Sequence, residues 1–368
     1  MKKLLLLSFL IILLLINLIS ETEFSGYYEN RFFLIFNTGN NGLSDNKILT
    51  GDYNRLRLKL KATPSDKVKI NLAVDFFSIY GSLMTPAGVN DNSSIDQINP
   101  NEQIDLDRIY VDMYFKHFDL SVGKQRIAMG VSYLWAPLDI FNRINFLEPK
   151  EEKPGVNALK LYAPLGKNKS LTAVFLPDED IGSSGKALRF NWTFFNIDSG
   201  ITYISGYQIY KDVFGLDLRG ENFIGWWIEY GYFKTFSETY SKFVLGVDYT
   251  FPIGSGLYWL SEYFFDNSGE ADFTNYDHDL VLNGDRFTLG RQYLFSMLRY
   301  GVTDFASLSI SYIGNIDDGS FLINPAFSYE LFQNVSLTSG FYIPMGKSGR
   351  ELNNQSIGAF FLWLKINF

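Results

Sequence analysis

The sequence predicts an all-β membrane protein, a transmembrane antiparallel up-and-down β-barrel of about 18 strands, with about 16 as the alternative. Apolar and polar residues alternate along most of the chain, and 17% of its 368 residues are aromatic. After residue 20, no uninterrupted apolar run reaches the roughly 18 residues that a transmembrane helix needs. Because helices and closed barrels are the only structures that satisfy every backbone amide in lipid, the alternation indicates membrane-spanning strands.

The N-terminus resembles a secretory signal peptide. Lys2 and Lys3 precede an unbroken apolar run over residues 4–16, and polar residues follow from Ser20. We expect residues 1–20 to be removed on secretion and residues 21–368 to form one barrel domain. The alternative is an uncleaved anchor helix, for which the run is close to the minimum length. The chain has no cysteine, which excludes a disulfide scaffold and a lipid-modified cysteine.

Eighteen segments show the two-residue period expected of membrane strands. The connections between them are alternately short and long, which is typical of periplasmic turns and extracellular loops. An even strand number returns both termini to the periplasmic side. The predicted strands cover residues 24–36, 52–62, 68–80, 105–115, 118–126, 156–163, 170–177, 186–196, 199–210, 213–220, 223–234, 241–252, 256–266, 290–301, 305–313, 320–332, 335–345 and 355–368.

The last of these segments alternates most regularly and ends on an aromatic residue. Its apolar parity consists of Phe360, Leu362, Leu364, Ile366 and Phe368. Such a segment resembles the signal that outer-membrane barrels present to their insertion machinery, so we expect that machinery and outer-membrane lipid as partners. Aromatic residues also concentrate at the ends of other segments. This distribution is typical of rings that lie where lipid tails meet headgroups.

The segment 52–62 carries the clearest functional pattern, because leucines occupy one parity and four cations occupy the other. Facing lipid, each cation would cost roughly 2–4 kcal/mol at the bilayer midplane, so the cations must face the lumen. With neighbouring strands they form a basic stripe of Arg31, Arg55, Arg57, Lys59, Lys61 and Lys69. Charged pore walls set ion preference. The sequence leaves open whether acids such as Glu29, Asp75 and Asp112 neutralise the stripe.

Residues 127–155 depart from the strand pattern. They are too apolar for an exposed loop and contain Pro137, Pro149 and Pro154, which a central strand would not tolerate. We expect this segment to fold into the barrel and narrow the pore, with an amphipathic cap on the outer rim as the alternative. Its candidate site residues are Trp135, packed on the inner wall, and Asp139, Asn142 and Arg143, which face the channel.

Residues 123–162 resemble a stretch of Gram-negative porin-type barrels, including the alginate-export family and related uncharacterised porin-like families. In those families a strand ending in G-x-Q leads into a W/F-x-P-x-D-x-x-N-P segment and then into P-G-V-x-A. The matching residues are Gly123, Gln125, Arg126, Gly130, Trp135, Pro137, Asp139, Asn142, Pro154, Gly155, Val156 and Ala158. The resemblance implies an outer-membrane channel and does not identify the solute.

The residue types that common catalytic sites need are scarce. The only histidines are His117, in a predicted turn, and His278, in an acidic loop, so neither suits a Ser-His-Asp site on a barrel wall. Zinc sites built from His and Cys are likewise disfavoured. Phosphate-binding glycine loops and nucleic-acid motifs are absent from the sequence. We therefore expect no enzyme activity, no cofactor, no metal and no nucleic-acid partner.

Together these patterns predict a bacterial outer-membrane channel for passive diffusion of small hydrophilic, preferentially anionic solutes. Two alternatives remain open. An extended basic stripe would also suit an export conduit for an acidic polysaccharide. A lumen closed by paired charges would instead suit a structural or adhesive barrel.

Overall fold

The computed structural model describes residues 21–37, 48–81, 102–142, 153–282, 286, 288–353 and 357–368. These ranges contain eighteen β-strands, which confirms the predicted number, and each strand end lies within three residues of its predicted limit. The predicted signal peptide and Arg143 lie outside the described residues. The strands are β1 (Glu21–Asn37), β2 (Leu49–Ser65), β3 (Val68–Gly81), β4 (Glu102–Tyr114), β5 (Asp119–Gln125), β6 (Val156–Pro164), β7 (Lys169–Leu176), β8 (Gly185–Phe194), β9 (Ile197–Tyr207), β10 (Tyr210–Glu221), β11 (Gly225–Thr235), β12 (Thr239–Phe251), β13 (Leu257–Asp266), β14 (Gln292–Gly301), β15 (Ala306–Asn315), β16 (Phe321–Phe332), β17 (Val335–Met345) and β18 (Ile357–Asn367).

The sheet closes on itself. Each strand pairs antiparallel with the next, and β1 also pairs with β18, which removes the unpaired edges of an open sheet. The C-terminal residue completes this seam. Phe368 donates its backbone N–H to the carbonyl of Gly26 at 3.0 Å and accepts a hydrogen bond from Gly26 N–H at 2.8 Å. The Phe368 ring lies 6.3 Å from the ring of Phe24, measured between centroids.

Successive side chains alternate between an apolar outer face and a charged interior. Exposed apolar residues on the outer face include Ile109, Leu159, Leu188, Ile201, Leu216, Leu245, Leu298, Leu308, Ile310 and Phe327. Buried inward residues include Arg57, Asp75, Asp217, Glu229 and Glu262. A wall that exposes apolar side chains around its circumference and encloses charged ones has the organisation of an outer-membrane barrel.

The two ends of the barrel differ. At the end with the short turns, aromatic rings are highly exposed, as Phe195 (83%), Phe223 (81%) and Phe332 (74%) illustrate. This agrees with the predicted interfacial rings. The connection after β13, at the opposite end, contains two short helical turns, Phe273–Asn275 and Asp279–Leu282. Among the helices of the described ranges, none has the length and apolarity needed to cross a membrane.

The C-terminal ring offers a test of the predicted insertion signal. Phe368→Ala keeps both backbone hydrogen bonds of the seam and removes only the ring, so refolding in detergent should be preserved. The predicted insertion signal includes this ring, so the amount of assembled barrel in cell envelopes should fall severalfold. Heat-modifiability on gels measures assembly. The control is Phe332→Ala, which removes an exposed ring at the same end; equal loss in both variants would contradict the signal.

Candidate functional site

The segment after β5 lies inside the barrel. Ile127, Met129, Leu138 and Phe141 are each at most 3% exposed. They form one apolar cluster with inward residues of β6 to β12, which include Ala158, Val174, Leu176, Ala187, Ile204, Val213, Phe233 and Tyr240. We call the described residues 126–142 the constriction loop, because burial of these side chains fixes the loop across the lumen.

Glu229 on β11 binds the backbone of the constriction loop. Its carboxylate is fully buried and accepts hydrogen bonds from the N–H groups of Val131 (2.8 Å), Ser132 (2.9 Å) and Leu138 (2.8 Å). A buried carboxylate is costly unless it is hydrogen-bonded, and several amide donors are a strong form of compensation. The two ends of residues 131–138 are therefore hydrogen-bonded to a single side chain.

Glu262 on β13 binds the intervening part of the loop in the same way. It is fully buried and accepts hydrogen bonds from the N–H groups of Tyr133 and Leu134, the latter at 2.7 Å. The indole Nε1–H of Trp227 donates to the same carboxylate at 2.7 Å. Two acidic residues on neighbouring parts of the wall thus hold the loop residues from 131 to 138.

Glycines on the loop and the wall make this close approach possible. Gly130 has φ +79°, and a Cβ at this position would collide with both carboxylate oxygens of Glu229. A Cβ on Gly215 of β10 would lie 2.5 Å from Leu138 Cδ2, and the next strand has Gly231 beside the same side chain. A position with positive φ and a backbone contact of this kind requires glycine.

The base of the constriction loop is closed by its own polar residues. Asn142 donates to the carbonyl of Ile127 and accepts from the N–H of Ile127 at 3.2 Å. Asp139 accepts from Asn142 at 3.0 Å and from Lys153 Nζ at 2.6 Å. Asn142 is fully buried and Asp139 is 7% exposed. Both residues therefore hold the loop, and both also line the cavity beside it, so their predicted role at the channel stays a prediction.

Trp135 packs against the wall, where its indole stacks on Phe264 with centroids 5.0 Å apart and an interplanar angle of 12°. It also lies 5.3 Å from the ring of Tyr293. Val131 and Leu134 pack against the same cluster of wall residues. The loop thus contacts two separate apolar regions of the wall, one on each side of Glu229.

The arginines of the basic stripe pair with acids on adjacent strands. Arg55 Nε and Nη2 donate to the two carboxylate oxygens of Asp75 at 3.0 Å each. Arg57 donates to Asp75 at 2.7 Å and also to Asp107. Glu29 lies 3.7 Å from Arg55. These five side chains are buried and form an alternating row of charges, so the two arginines are largely compensated.

The other members of the basic stripe have different surroundings. The Arg31 guanidinium lies 4.0 Å from the Trp363 ring centroid and 3.6 Å from Glu29. Lys59 Nζ lies 5.2 Å from the centroid of Tyr27, and Lys69 Nζ lies 5.2 Å from that of Tyr114. Lys61 pairs with Glu23 at 2.9 Å, with both side chains well exposed. An exposed pair of this kind contributes little stability and leaves its charges in water.

Asp107 is a lumenal residue that sequence reasoning missed. Strict alternation on β4 places Arg108 and Asp112 inward and Asp107 outward. The register with β3 shifts between Ala73 and Val74, which inserts Asp107 as an extra residue and turns it inward. Asp107 also accepts from the N–H of Gly155 at 3.0 Å, so it joins the basic stripe to the start of β6.

Two further charge pairs join strands of the lumen wall. Arg189 on β8 binds Asp217 on β10 with two hydrogen bonds, at 2.6 and 2.8 Å. Lys242 on β12 lies 2.9 Å from Asp266 on β13. Inward charges are therefore paired across strands on this part of the wall as well as in the basic stripe.

The acidic residues of the long connections bind neighbouring loops. Glu351 accepts hydrogen bonds from Leu289 N–H at 2.8 Å and from Asn315 Nδ2 at 2.6 Å. Burial raises the pKa of the Glu351 carboxyl above its ordinary value. Within the described ranges, no group of three or more His, Asp or Glu residues is arranged to hold a metal ion.

Comparison with known proteins shows a similarity of fold to porins. No protein-family model and no curated sequence matches the chain. Its fold is similar to that of a BenF-like porin from Pseudomonas fluorescens Pf-5, with a TM-score of 0.62 and 9% identity over 95% of this chain and 98% of that one. For Pseudomonas aeruginosa OccK9 (OpdG), the TM-score is 0.61 and the identity 8%, over 95% of this chain and 99% of that one. For Acinetobacter baumannii OccAB1, the TM-score is 0.59 and the identity 10%, over 94% of this chain and 96% of that one. The chain has a porin-type fold.

The requirement for a residue without a side chain at Gly130 can be tested by adding a single methyl group. Gly130→Ala should displace Glu229 from the loop and weaken hydrogen bonds worth about 1.5–3 kcal/mol. Hydrogen exchange at Val131, Ser132 and Leu138 should then be faster by roughly ten- to hundredfold. Gly349→Ala is the control, because Gly349 has φ +80° and nothing within 4 Å of a Cβ. Equal exchange rates in the two variants would contradict the displacement of Glu229.

The carboxylates can be tested by isosteric replacement. In the double variant Glu229→Gln and Glu262→Gln, one carboxylate oxygen of each residue becomes an NH₂ group. This group faces a loop N–H, and two donors cannot form a hydrogen bond. The loop should therefore detach from the wall. Single-channel recordings should show a changed mean conductance and larger current fluctuations. Glu330→Gln is the control, because it removes an exposed negative charge from β16 without touching the loop. A double variant that matches this control would rule out the holding role.

Proposed function

We propose that this protein is a passive outer-membrane channel for small hydrophilic solutes and that it prefers anions. The observation that carries the proposal is the constriction loop, which two buried carboxylates hold across the lumen of a closed barrel. A loop fixed in this way narrows the lumen and so limits the size of the solutes that pass. A separate domain inside the barrel is not needed for this. The similarity of the fold to porins supports the same function.

We assign the anion preference to the lysines of the basic stripe. Arg55 and Arg57 share the carboxylates of Asp75, Asp107 and Glu29, so their charges are largely neutralised within the wall. Lys61 retains 44% side-chain exposure, and its partner Glu23 retains 70%. Cations that remain in contact with water attract mobile anions, whereas buried pairs act mainly on wall structure.

The alternatives make different demands on the lumen. Export of an acidic polysaccharide is supported by the resemblance of residues 123–162 to alginate-export barrels, whereas no family model supports that assignment. A structural or adhesive barrel requires a lumen that ions cannot cross. Delivery by the signal peptide 1–20 and assembly by the insertion machinery are further parts of the proposal, supported by the sequence pattern.

The lysine assignment predicts a specific change in selectivity. In the triple variant Lys59→Gln, Lys61→Gln and Lys69→Gln, the anion-to-cation permeability ratio should fall severalfold, since a unit charge acts on an ion about 4 Å away in water with roughly 1 kcal/mol. The reversal potential in a planar bilayer under a KCl gradient measures the ratio. The buried arginine pairs are untouched, so the barrel should remain folded.

The control replaces three lysines at the short turns, Lys67→Gln, Lys116→Gln and Lys167→Gln. These residues are exposed and lie at turns of the same barrel end, so the variant has the same net charge without altering the lumen. Equal shifts in both variants would contradict the assignment to the stripe. A folded wild-type barrel without conductance would contradict the channel itself and favour the structural alternative.

A further inference from the structure

A group of cations lies at the extracellular ends of β8, β10 and β11. Lys186, Lys211 and Lys234 are all exposed, and we call them the rim lysines. Lys186 is opposite Ser205 of β9, which is in turn opposite Asp212 of β10. Asp212 is opposite Lys234, and Lys211 is the extra residue at the bulge that precedes Asp212. The rim lysines therefore lie close to one row across four neighbouring strands.

The alternation of the strands places this row on the outer face of the barrel. Phe233 and Ala187 are buried in the inner apolar cluster, so the adjacent Lys234 and Lys186 point outward. From Trp226, near the short turns, to Lys234, β11 extends about 26 Å. At the usual strand tilt this is about 20 Å along the membrane normal, whereas the apolar band of a barrel is about 25 Å tall. Lys234 thus lies near the outer boundary of that band.

Aromatic rings form the next row on the same face. Phe214 of β10 is opposite Tyr203 of β9 and Tyr232 of β11, and all three side chains are exposed. The rings of Tyr203 and Phe214 lie 4.9 Å apart, measured between centroids. Such rings are enriched where lipid tails meet headgroups. The rim lysines, one row further out, are therefore at the level of the headgroups.

The rim lysines differ from the cations of the lumen wall in their partners. In the part of the chain that the structure describes, none of them forms an ion pair. Lys186 Nζ donates to the neutral carbonyl of Ile181 at 3.2 Å. The acid of the row, Asp212, accepts from the hydroxyl group of Tyr203 at 2.8 Å. The row thus has an excess of positive charge on a chain whose formal net charge is −8.

The spacing of the row fits a lipid headgroup with more than one phosphate group. Lys186 and Lys234 are three strand spacings apart, which is about 14 Å between their backbones. Flexible lysine stems bring the ammonium groups to phosphates within this span, where they donate charge-assisted hydrogen bonds. Leu188 and Leu216 are exposed further down the same face. The acyl chains of the same lipid would lie against these leucines.

We propose that the rim lysines bind the phosphate groups of an outer-leaflet lipid headgroup. The phosphates accept from the ammonium groups, the rings of Tyr203 and Tyr232 lie at the base of the headgroup, and the acyl chains cover the apolar wall below. A bound headgroup fixes the height of β8 to β11 in the outer leaflet. The inference goes beyond the proposed channel function, because this site is outside the barrel and shares no residue with the lumen.

Native mass spectrometry of the refolded barrel in detergent tests the site without requiring transport. The probes are lipid A with two phosphates, lipid A with one phosphate, and phosphatidylcholine, whose phosphate is neutralised by its own choline. The form with two phosphates should bind about tenfold more tightly than the form with one, and phosphatidylcholine should bind most weakly. Equal affinity for all three lipids would overturn the proposal. Inorganic phosphate that binds as tightly as lipid A would also overturn it, because the ligand is then free phosphate.

Replacement of the lysines provides the second arm of the test. In the triple variant Lys186→Gln, Lys211→Gln and Lys234→Gln, the affinity for lipid A with two phosphates should fall at least about tenfold. The matched control removes the same charge at the opposite end of the barrel, with Lys67→Gln, Lys116→Gln and Lys167→Gln, and should bind like the wild type. Equal affinity of the two variants for lipid A would overturn the site.

Two further measurements separate the site from folding and from the channel. Arginine at the three rim positions keeps the charge, so this variant should retain lipid binding if the glutamine variant fails to refold; loss of binding in a folded arginine variant would contradict a charge-based site. The conductance of the glutamine variant should equal that of the wild type, because the lumen is unchanged. Wild-type barrels that bind lipid A without conducting ions would contradict the channel function and leave this site intact.

Discussion

The position of the constriction loop inside the barrel depends on two carboxylates whose partners in the loop are backbone N–H groups. Glu229 and Glu262 are completely buried, and backbone N–H groups of the loop satisfy them. Each side needs the other. Without the loop, Glu229 would lose its backbone donors and Glu262 would keep only the indole of Trp227, and without the carboxylates, consecutive loop amides would be buried without acceptors. Loop and wall are therefore held as one unit.

This arrangement explains the glycines around it. A loop whose amides point at the wall must bring its backbone close to the wall, so side chains at the contact have to be absent. Gly130 on the loop and Gly215 on the wall provide that space, and Leu138 fills the volume above Gly215. The apolar cluster around Leu138 then excludes water from the hydrogen bonds, which strengthens them. The glycines, the apolar cluster and the buried acids thus act together to hold the constriction loop against the wall.

Much of the fold could be predicted because a membrane strand has to alternate. That constraint acts on every residue of a strand, so the strand number and limits follow from the sequence, as does the apolar face of the C-terminal segment. The excess of apolar residues in 127–155 likewise indicates that this segment packs against the inner wall of the barrel. The same alternation puts Glu229 and Glu262 on the inward parity of their strands, but it cannot assign their partners. Backbone N–H groups leave no mark on side-chain composition, and the bonded residues are up to 129 positions apart.

The features of the site that sequence alternation does not register have local causes. Asp139 and Asn142 have short polar side chains that bind nearby backbone or lysine groups. Asp107 is turned inward by a single extra residue in β4, and its arrival beside Arg57 changes the electrostatic character of the basic stripe. Within the basic stripe, Arg55 and Arg57 are thus neutralised by acids of the wall, whereas Lys61 keeps 44% of its side chain exposed. Charge compensation and an exposed cation are then properties of different residues on the same strand.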